Sequence, residues 1–134
     1  MKEFHLEILT PDGLAYEGMV ESLLVHAIDG DVEFLANHVD YITTLGTGRA
    51  RIKIASKDRY ASVSGGFITI TSGKVKLIAT TFEFAENINI ERARIAKEKA
   101  QSILSSSKDS KEIEIARIKL LRAITRIKVA ELNR

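Results

Sequence analysis

Apolar residues recur with a period near two over the first 84 residues, and every three or four residues from there to Arg134. Phe4, Leu6 and Ile8 alternate with polar residues and predict a first strand. Thr10-Pro11-Asp12-Gly13 predicts a turn, because Pro fixes φ at the second position and Gly accepts the positive φ that follows. Leu14 to Glu17 restarts extended chain. Val20 to Ala27 reads as one longer, mostly buried strand that contains His26, and Asp29-Gly30-Asp31 turns it. Val32 to Asp40 reads as a short strand and a loop holding His38. Ile42 to Leu45 reads as a strand ending at Gly46 and Gly48. Ala50, Ile52 and Ile54 alternate with Arg51 and Lys53, and Lys57-Asp58 is the expected hairpin turn into Tyr60, Ser62 and Ser64. Gly65-Gly66 predicts a strand irregularity where backbone approaches backbone. Ser72-Gly73 signals a hairpin between Phe67–Thr71 and Lys74–Ala79. Many short strands with regular turn punctuation predict an antiparallel sandwich or flattened barrel.

The period then changes. Residues 85–134 contain no Gly or Pro. Asn89 is a good N-cap, with Glu91 and Arg92 in the first turn that follows. Ala93, Ala96, Ala100 and Leu104 form a narrow stripe of small residues that lets a second helix approach closely. Ser105-Ser106-Ser107 and Lys108-Asp109-Ser110 break the pattern. A second helix from about Lys111 to Leu132 carries Ile113, Ala116, Leu120, Ala123, Ile124, Ile127 and Ala130 on its apolar stripe. The expected organisation is a β domain over residues 1–85 and a helical hairpin over residues 86–134. Short helices are marginal in water without packing, so the hairpin must lie on something.

Charge changes at the same point. Residues 1–84 hold 8 Lys/Arg against 11 Asp/Glu, a net of −3, whereas residues 85–134 hold 12 against 7, a net of +5. The overall charge of +2 is too small to imply nucleic-acid binding by the whole chain. Cysteine is absent, which excludes disulfides and thiolate metal sites. Met1-Lys2-Glu3-Phe4-His5 opens directly on an alternating pattern, so no secretory signal is expected there. No apolar run approaches the roughly 20 residues of a membrane span, so a soluble protein is expected, with membrane association only through a partner.

Catalytic chemistry finds little support. His5, His26 and His38 lie apart in sequence, in no Gly-x-Ser-x-Gly or His-Glu-x-x-His context, and no phosphate-cradling Gly-x-x-x-x-Gly-Lys-Ser/Thr loop exists. No catalytic residue is expected. Asp29, Asp31 and Glu33 alternate within five residues, as in a cation site, a solvated loop or one strand face. They lack the Gly and Glu of a calcium loop, and no metal site is expected. The tail is more informative. Lys119, Arg122 and Arg126 share one helical face, and Arg92 on the first helix would face the last two in a folded hairpin. Three guanidiniums converging without acidic neighbours repel one another. Such a cluster suits a nucleotide phosphate chain, although the spacing alone favours an ordinary solvated basic face. The tail has no Trp and no aromatic residue beyond Phe84, which argues against a membrane surface and against base stacking on RNA. An acidic protein surface is the simplest partner.

Several segments together resemble the epsilon subunit of bacterial F-type ATP synthases. They are Leu6-Glu7-Ile8-Leu9-Thr10-Pro11-Asp12-Gly13 with Tyr16-Glu17-Gly18, then Asp29-Gly30-Asp31-Val32-Glu33-Phe34-Leu35-Ala36-Asn37-His38, then Ser64-Gly65-Gly66-Phe67, and in the tail Arg92-Ala93 and Arg122-Ala123. The resemblance spans essentially the whole chain. It implies a ten-stranded antiparallel β-sandwich followed by an antiparallel two-helix hairpin. It also implies a non-catalytic place in the central rotary stalk, on the cytoplasmic face of the bacterial plasma membrane, bound to the gamma subunit and the c-subunit ring. Asp31, Glu33 and His38 would contact the ring. The basic face of Lys119, Arg122 and Arg126 would meet the beta subunits of the catalytic head and restrain ATP hydrolysis. No cofactor would be required.

Some members bind ATP as a regulatory ligand between sandwich and hairpin, through an Ile/Leu-Asp-x-x-Arg-Ala motif. Ile88-Asn89-Ile90-Glu91-Arg92-Ala93 matches it with Asn89 in place of Asp, and Glu83, Arg122 and Arg126 fall where that site expects them. Asn keeps the cap but not the charge. A charged hydrogen bond is worth roughly 1.5–3 kcal/mol, so losing one to the nucleotide would weaken binding by about one to two decades. Glu33 and Ala36 stand where the family usually has Gly and Pro, both in the expected ring-facing loop.

Overall fold

The computed structural model describes residues 2–132. Ten strands form two five-stranded sheets, and two helices follow. The strands are β1 (Phe4–Thr10), β2 (Gly13–Val20), β3 (Ser22–Ala27), β4 (Gly30–Leu35), β5 (Tyr41–Thr44), β6 (Gly48–Ile54), β7 (Lys57–Ser64), β8 (Phe67–Thr71), β9 (Lys74–Ile78) and β10 (Thr81–Phe84). One sheet runs β2-β1-β9-β8-β5, and the other runs β10-β7-β6-β3-β4. Each strand turns alternate residues inward, as its apolar period requires. Phe4, Leu6 and Ile8 are buried, and the core they join comprises eighteen side chains, Phe34, Ile52, Ile68 and Leu77 among them. Fully burying a side chain of this size stabilises by about 1.5–3 kcal/mol, so this core dominates the stability of the molecule.

Four details differ from the sequence reading. The sandwich has one parallel pair, β1 with β9, in which Leu6 stands opposite Val75. All the other strand pairs are antiparallel. The long strand expected over Val20–Ala27 is interrupted at Glu21, whose side chain is buried. Its backbone N–H donates to the Lys53 carbonyl at 2.8 Å, and its carboxylate accepts from the Ser56 N–H at 2.5 Å. That contact holds the β6–β7 turn, which lies at Ala55 and Ser56, both at positive φ, and not at Lys57-Asp58. His26 points outward from β3 and is exposed. Alternation decides this, because Val25 and Ala27 take the inward positions.

The helical part begins with a 3-10 turn over Ala85–Asn87. Arg59 straps this joint to the sandwich. Its guanidinium lies 3.6 Å from the Phe84 ring centroid, and its Nε donates to Glu86 at 2.8 Å. The helix α1 (Ile90–Ser106) starts where the Asn89 side chain accepts from the Arg92 N–H at 3.1 Å. The helix α2 (Ser110–Leu132) starts where Asp109 accepts from the N–H groups of Lys111 and Glu112. Buried alanines at 93, 100, 116 and 123 line the hairpin, so the two backbones approach closely. The last turns of α2 meet the joint through Val129 and Ala130, packed with Ala85 and Ile88 beside Tyr60 and Ile90.

Gly66 shows how tightly the sandwich closes. It adopts φ +94°, and a Cβ there would lie 1.9 Å from the Ile78 carbonyl oxygen. At Gly73, φ is +78° but the space beyond is open. Gly73→Ala should therefore cost only the strain of a positive φ, about 1 kcal/mol, whereas Gly66→Ala should cost at least about 3 kcal/mol. Urea unfolding of both variants checks this, and equal losses would contradict the close approach.

Candidate functional site

A cavity of about 770 Å³ lies between the sandwich and the hairpin. The sandwich contributes Thr10, Asp12, Ser62 and the strand edge from Thr80 to Glu83. From α1 come Arg92 and Lys99, and from α2 come Lys119, Arg122 and Arg126. Five cationic side chains therefore surround the space against two carboxylates, Asp12 and Glu83. The helical spacing explains the convergence. Arg92 and Lys99 are two turns apart on α1, as Lys119 and Arg126 are on α2, and antiparallel packing points both rows at one gap.

The guanidiniums are not free of acidic neighbours, as the sequence reading supposed. Arg126 Nε donates to one Glu83 carboxylate oxygen at 2.8 Å and Nη2 to the other at 3.3 Å. This two-point contact is half-buried on both sides. Arg122 Nε donates to the Ser64 hydroxyl at 2.9 Å, and that hydroxyl is itself 2.9 Å from the Thr47 hydroxyl. Arg92 makes no side-chain hydrogen bond or ion pair among the described residues. The cavity thus offers one uncommitted guanidinium, two lysines and two guanidiniums already engaged by the sandwich.

Of the residues expected to hold ATP, Glu83, Arg92, Arg122 and Arg126 line the cavity. Ile88, Asn89 and Ala93 do not. Ile88 is buried against the end of α2, Ala93 is buried, and the Asn89 side chain is occupied in capping α1. Lys99 and Asp12 line the cavity and were missed by sequence reasoning. Lys99 was legible from its two-turn spacing to Arg92. Asp12 was not, because only the fold brings the β1–β2 turn there.

The proposed ring contacts lie elsewhere. Asp31 and Glu33 occupy the outward face of β4, on a strand and not in a loop. Asp31 accepts from His26 Nδ1 at 2.9 Å and from Arg49 at 3.3 Å, while Glu33 pairs with Arg51. His38 lies beyond β4, its Nδ1 2.8 Å from the Val39 carbonyl and its ring 5.1 Å from that of Phe34. The structure does not bring His38 together with the two carboxylates. No group of three or more His, Asp or Glu side chains that could hold a metal occurs among the described residues.

Comparison with known proteins decides the family. Residues 3–85 match the ATP synthase delta/epsilon chain β-sandwich domain, and residues 86–131 match the long α-helix domain of the same chains. The chain belongs to the ATP synthase delta/epsilon family. It is 35% identical over 134 residues to the ATP synthase epsilon chain of Caldicellulosiruptor bescii, covering 100% of this chain and 98% of that one. It is 36% identical over 130 residues to the epsilon chain of Bacillus velezensis, covering 97% and 98%. The fold also matches a chain of the Euglena gracilis mitochondrial ATP synthase with a TM-score of 0.81 at 22% identity, over 97% of this chain and 81% of that chain. No helix among the described residues is long and apolar enough to cross a membrane.

The Asp31 contacts generate a pH prediction. The hydrogen bond from His26, aided by Arg49, holds the Asp31 carboxyl below the usual carboxylate range despite some desolvation. A depressed folded-state pKa adds stability above the ordinary carboxylate pKa and loses it as pH falls through the folded value. Asp31→Asn should therefore be less stable than the parent near pH 7, by no more than about 1 kcal/mol for so exposed a pair. The gap should close as pH drops below the usual carboxylate range. Thermal unfolding of both proteins across that range is the check.

Proposed function

We propose that this chain is a central-stalk rotor subunit of an F-type ATP synthase, non-catalytic in itself, and that its hairpin restrains ATP hydrolysis. The observation that carries the reading is how lightly the hairpin is docked. The sandwich holds itself with eighteen buried side chains, whereas the base of the hairpin is held to the joint by Ala85, Ile88, Val129 and Ala130. Tyr60 and Ile90 pack beside them, and two polar contacts, Arg122 with Ser64 and Arg126 with Glu83, add to the attachment. A hairpin so held can be exchanged for another partner at modest cost. Its basic face, Lys119, Arg122 and Arg126, borders the cavity while docked and would become available to acidic segments of the beta subunits on release. The partners would be the gamma subunit, the c-subunit ring and those beta subunits. Asp31, Glu33 and His38 would stand toward the ring, and the location would be the cytoplasmic face of the bacterial plasma membrane, reached only through the complex.

The cavity favours a second role alongside the first, as a site for ATP. Five cations over about 770 Å³ suit a triphosphate in both size and charge. A nucleotide held there would touch both halves of the chain and bias the hairpin toward the docked state. In this arrangement Asn89 acts through the helix cap, which Asn supports as well as Asp does.

Two measurements test these readings. Added to an ATPase head that lacks this subunit, the full chain should bind and lower hydrolysis, and a chain ending at residue 85 should bind without lowering it. Inhibition that survives the truncation would remove the hairpin from the mechanism. In calorimetric titration, ATP should bind the full chain, and Arg92→Ala should weaken it at least tenfold. That side chain makes no hydrogen bond or ion pair among the described residues, so its loss leaves docking intact. Absence of heat at millimolar ATP would reject the nucleotide site.

A further inference from the structure

We propose that a second, smaller cavity, on the other side of α2, is a binding site for a monohydrogen phosphate group. It has a volume of about 220 Å³ and lies between β3, the start of β6 and the last turns of α2. This is below the roughly 300–1,000 Å³ of sites that enclose a drug-sized ligand, so it admits one tetrahedral oxyanion and not a whole nucleotide. Its polar lining is His26, Thr47, Arg49, Thr125 and Lys128. None of these belongs to the larger cavity, and the proposal does not depend on ATP binding there.

The donors have a definite arrangement. Lys128 makes no hydrogen bond or ion pair among the described residues. Arg49 gives one N–H to Asp31 and keeps its others. Thr47 shares a hydrogen bond with Ser64, which already accepts from Arg122. The Ser64 hydroxyl hydrogen can therefore go to Thr47 and free the Thr47 hydroxyl hydrogen for a ligand. Thr125 donates to the Leu121 carbonyl at 2.8 Å, so toward the cavity it can only accept.

His26 supplies the selectivity. Three charged groups surround it, Asp31 from β4, Arg49 from β6 and Lys128 from α2. An ionised carboxylate accepts and cannot donate, so Asp31 fixes the ring proton on Nδ1 of the neutral imidazole, 2.9 Å away. The neutral ring then has only a lone pair on Nε2. Glycine at 48 lets the ring lie across β6, since a Cβ there would come within 2.6 Å of the His26 Cβ. With His26 neutral, the cavity has two cations and a hydroxyl to donate, and two acceptors, Nε2 and the Thr125 oxygen. Monohydrogen phosphate has charge for the first set and an O–H for the second. Sulfate has the charge but no hydrogen. The carbonyls at the end of α2 add negative partial charge nearby, which further disfavours an anion that cannot donate. A phosphate there would bridge the sandwich to α2 and hold the hairpin down.

The test follows the His26 ring nitrogens by NMR in the full chain, with phosphate, sulfate or ATP added at constant ionic strength. At pH 8, phosphate should give a saturable Nε2 shift, and sulfate should bind about three- to tenfold more weakly for want of one hydrogen bond. Lys128→Gln, at an exposed position, should reduce phosphate binding, while Arg92→Ala should leave it unchanged. Equal binding of phosphate and sulfate at pH 8 would overturn the proposal, as would no saturable shift or an unaltered response in Lys128→Gln. So would a phosphate-induced His26 shift that Arg92→Ala abolishes, since the shift would then report the larger cavity.

Discussion

The contact between Arg126 and Glu83 sets the state of the whole molecule. It joins the last third of α2 to the last strand of the sandwich, across a gap bordered mainly by cations. Without the Glu83 carboxylate, Arg126, Arg122 and Arg92 would face one another with little to offset their repulsion. The carboxylate therefore offsets that repulsion where the hairpin meets the sandwich. The pair is half-buried and two-pointed, which makes it stronger than a surface ion pair and weaker than a fixed part of the core. An anion in the cavity would strengthen the same closure, because it supplies negative charge where two carboxylates face five cations.

The joint between the two parts is built differently. Arg59 covers the Phe84 ring with its guanidinium and reaches Glu86 with its N–H groups. Phe84 belongs to the sandwich core and Glu86 to the 3-10 turn. The chain is thus clamped just before Ile88, and beyond the clamp the hairpin is held by the cluster of Ile88, Val129 and Ala130 with Tyr60 and Ile90, and by the contacts of Arg122 and Arg126. Attachment is thus continuous with the sandwich core up to Glu86 and rests on fewer buried side chains beyond it.

Much of this was legible in the sequence. The period of two placed the strands, and Asn89 placed the start of α1 because its side chain could serve no other local role so well. Gly65-Gly66 marked a close backbone approach because nothing larger fits against Ile78. The misses have physical reasons. The break at Glu21 was not read from the sequence, because only the folded β6–β7 turn supplies the Ser56 N–H that its carboxylate accepts from. The strand holding His26 reads as mostly buried because its neighbours are apolar, although the pleat turns His26 itself outward. Asp12 and Ser64 join the cavity lining and the Arg122 contact through the sandwich topology, which no local pattern records. The paired state of Asp31 and Glu33 also escaped, since Arg49 and Arg51 reach them across an intervening strand.

The parallel pairing of β1 with β9 has a consequence for the order of assembly. Leu6 finds its partner at Val75, most of the sandwich later in the chain. As the polypeptide emerges from the ribosome, β1 and β2 can form a hairpin, but one edge of β1 stays bare until nearly all the other strands exist. Contacts of such long sequence separation slow folding, because loop closure must precede any gain from pairing. The first strand is thus committed last, and the sheet cannot close on a shortened chain.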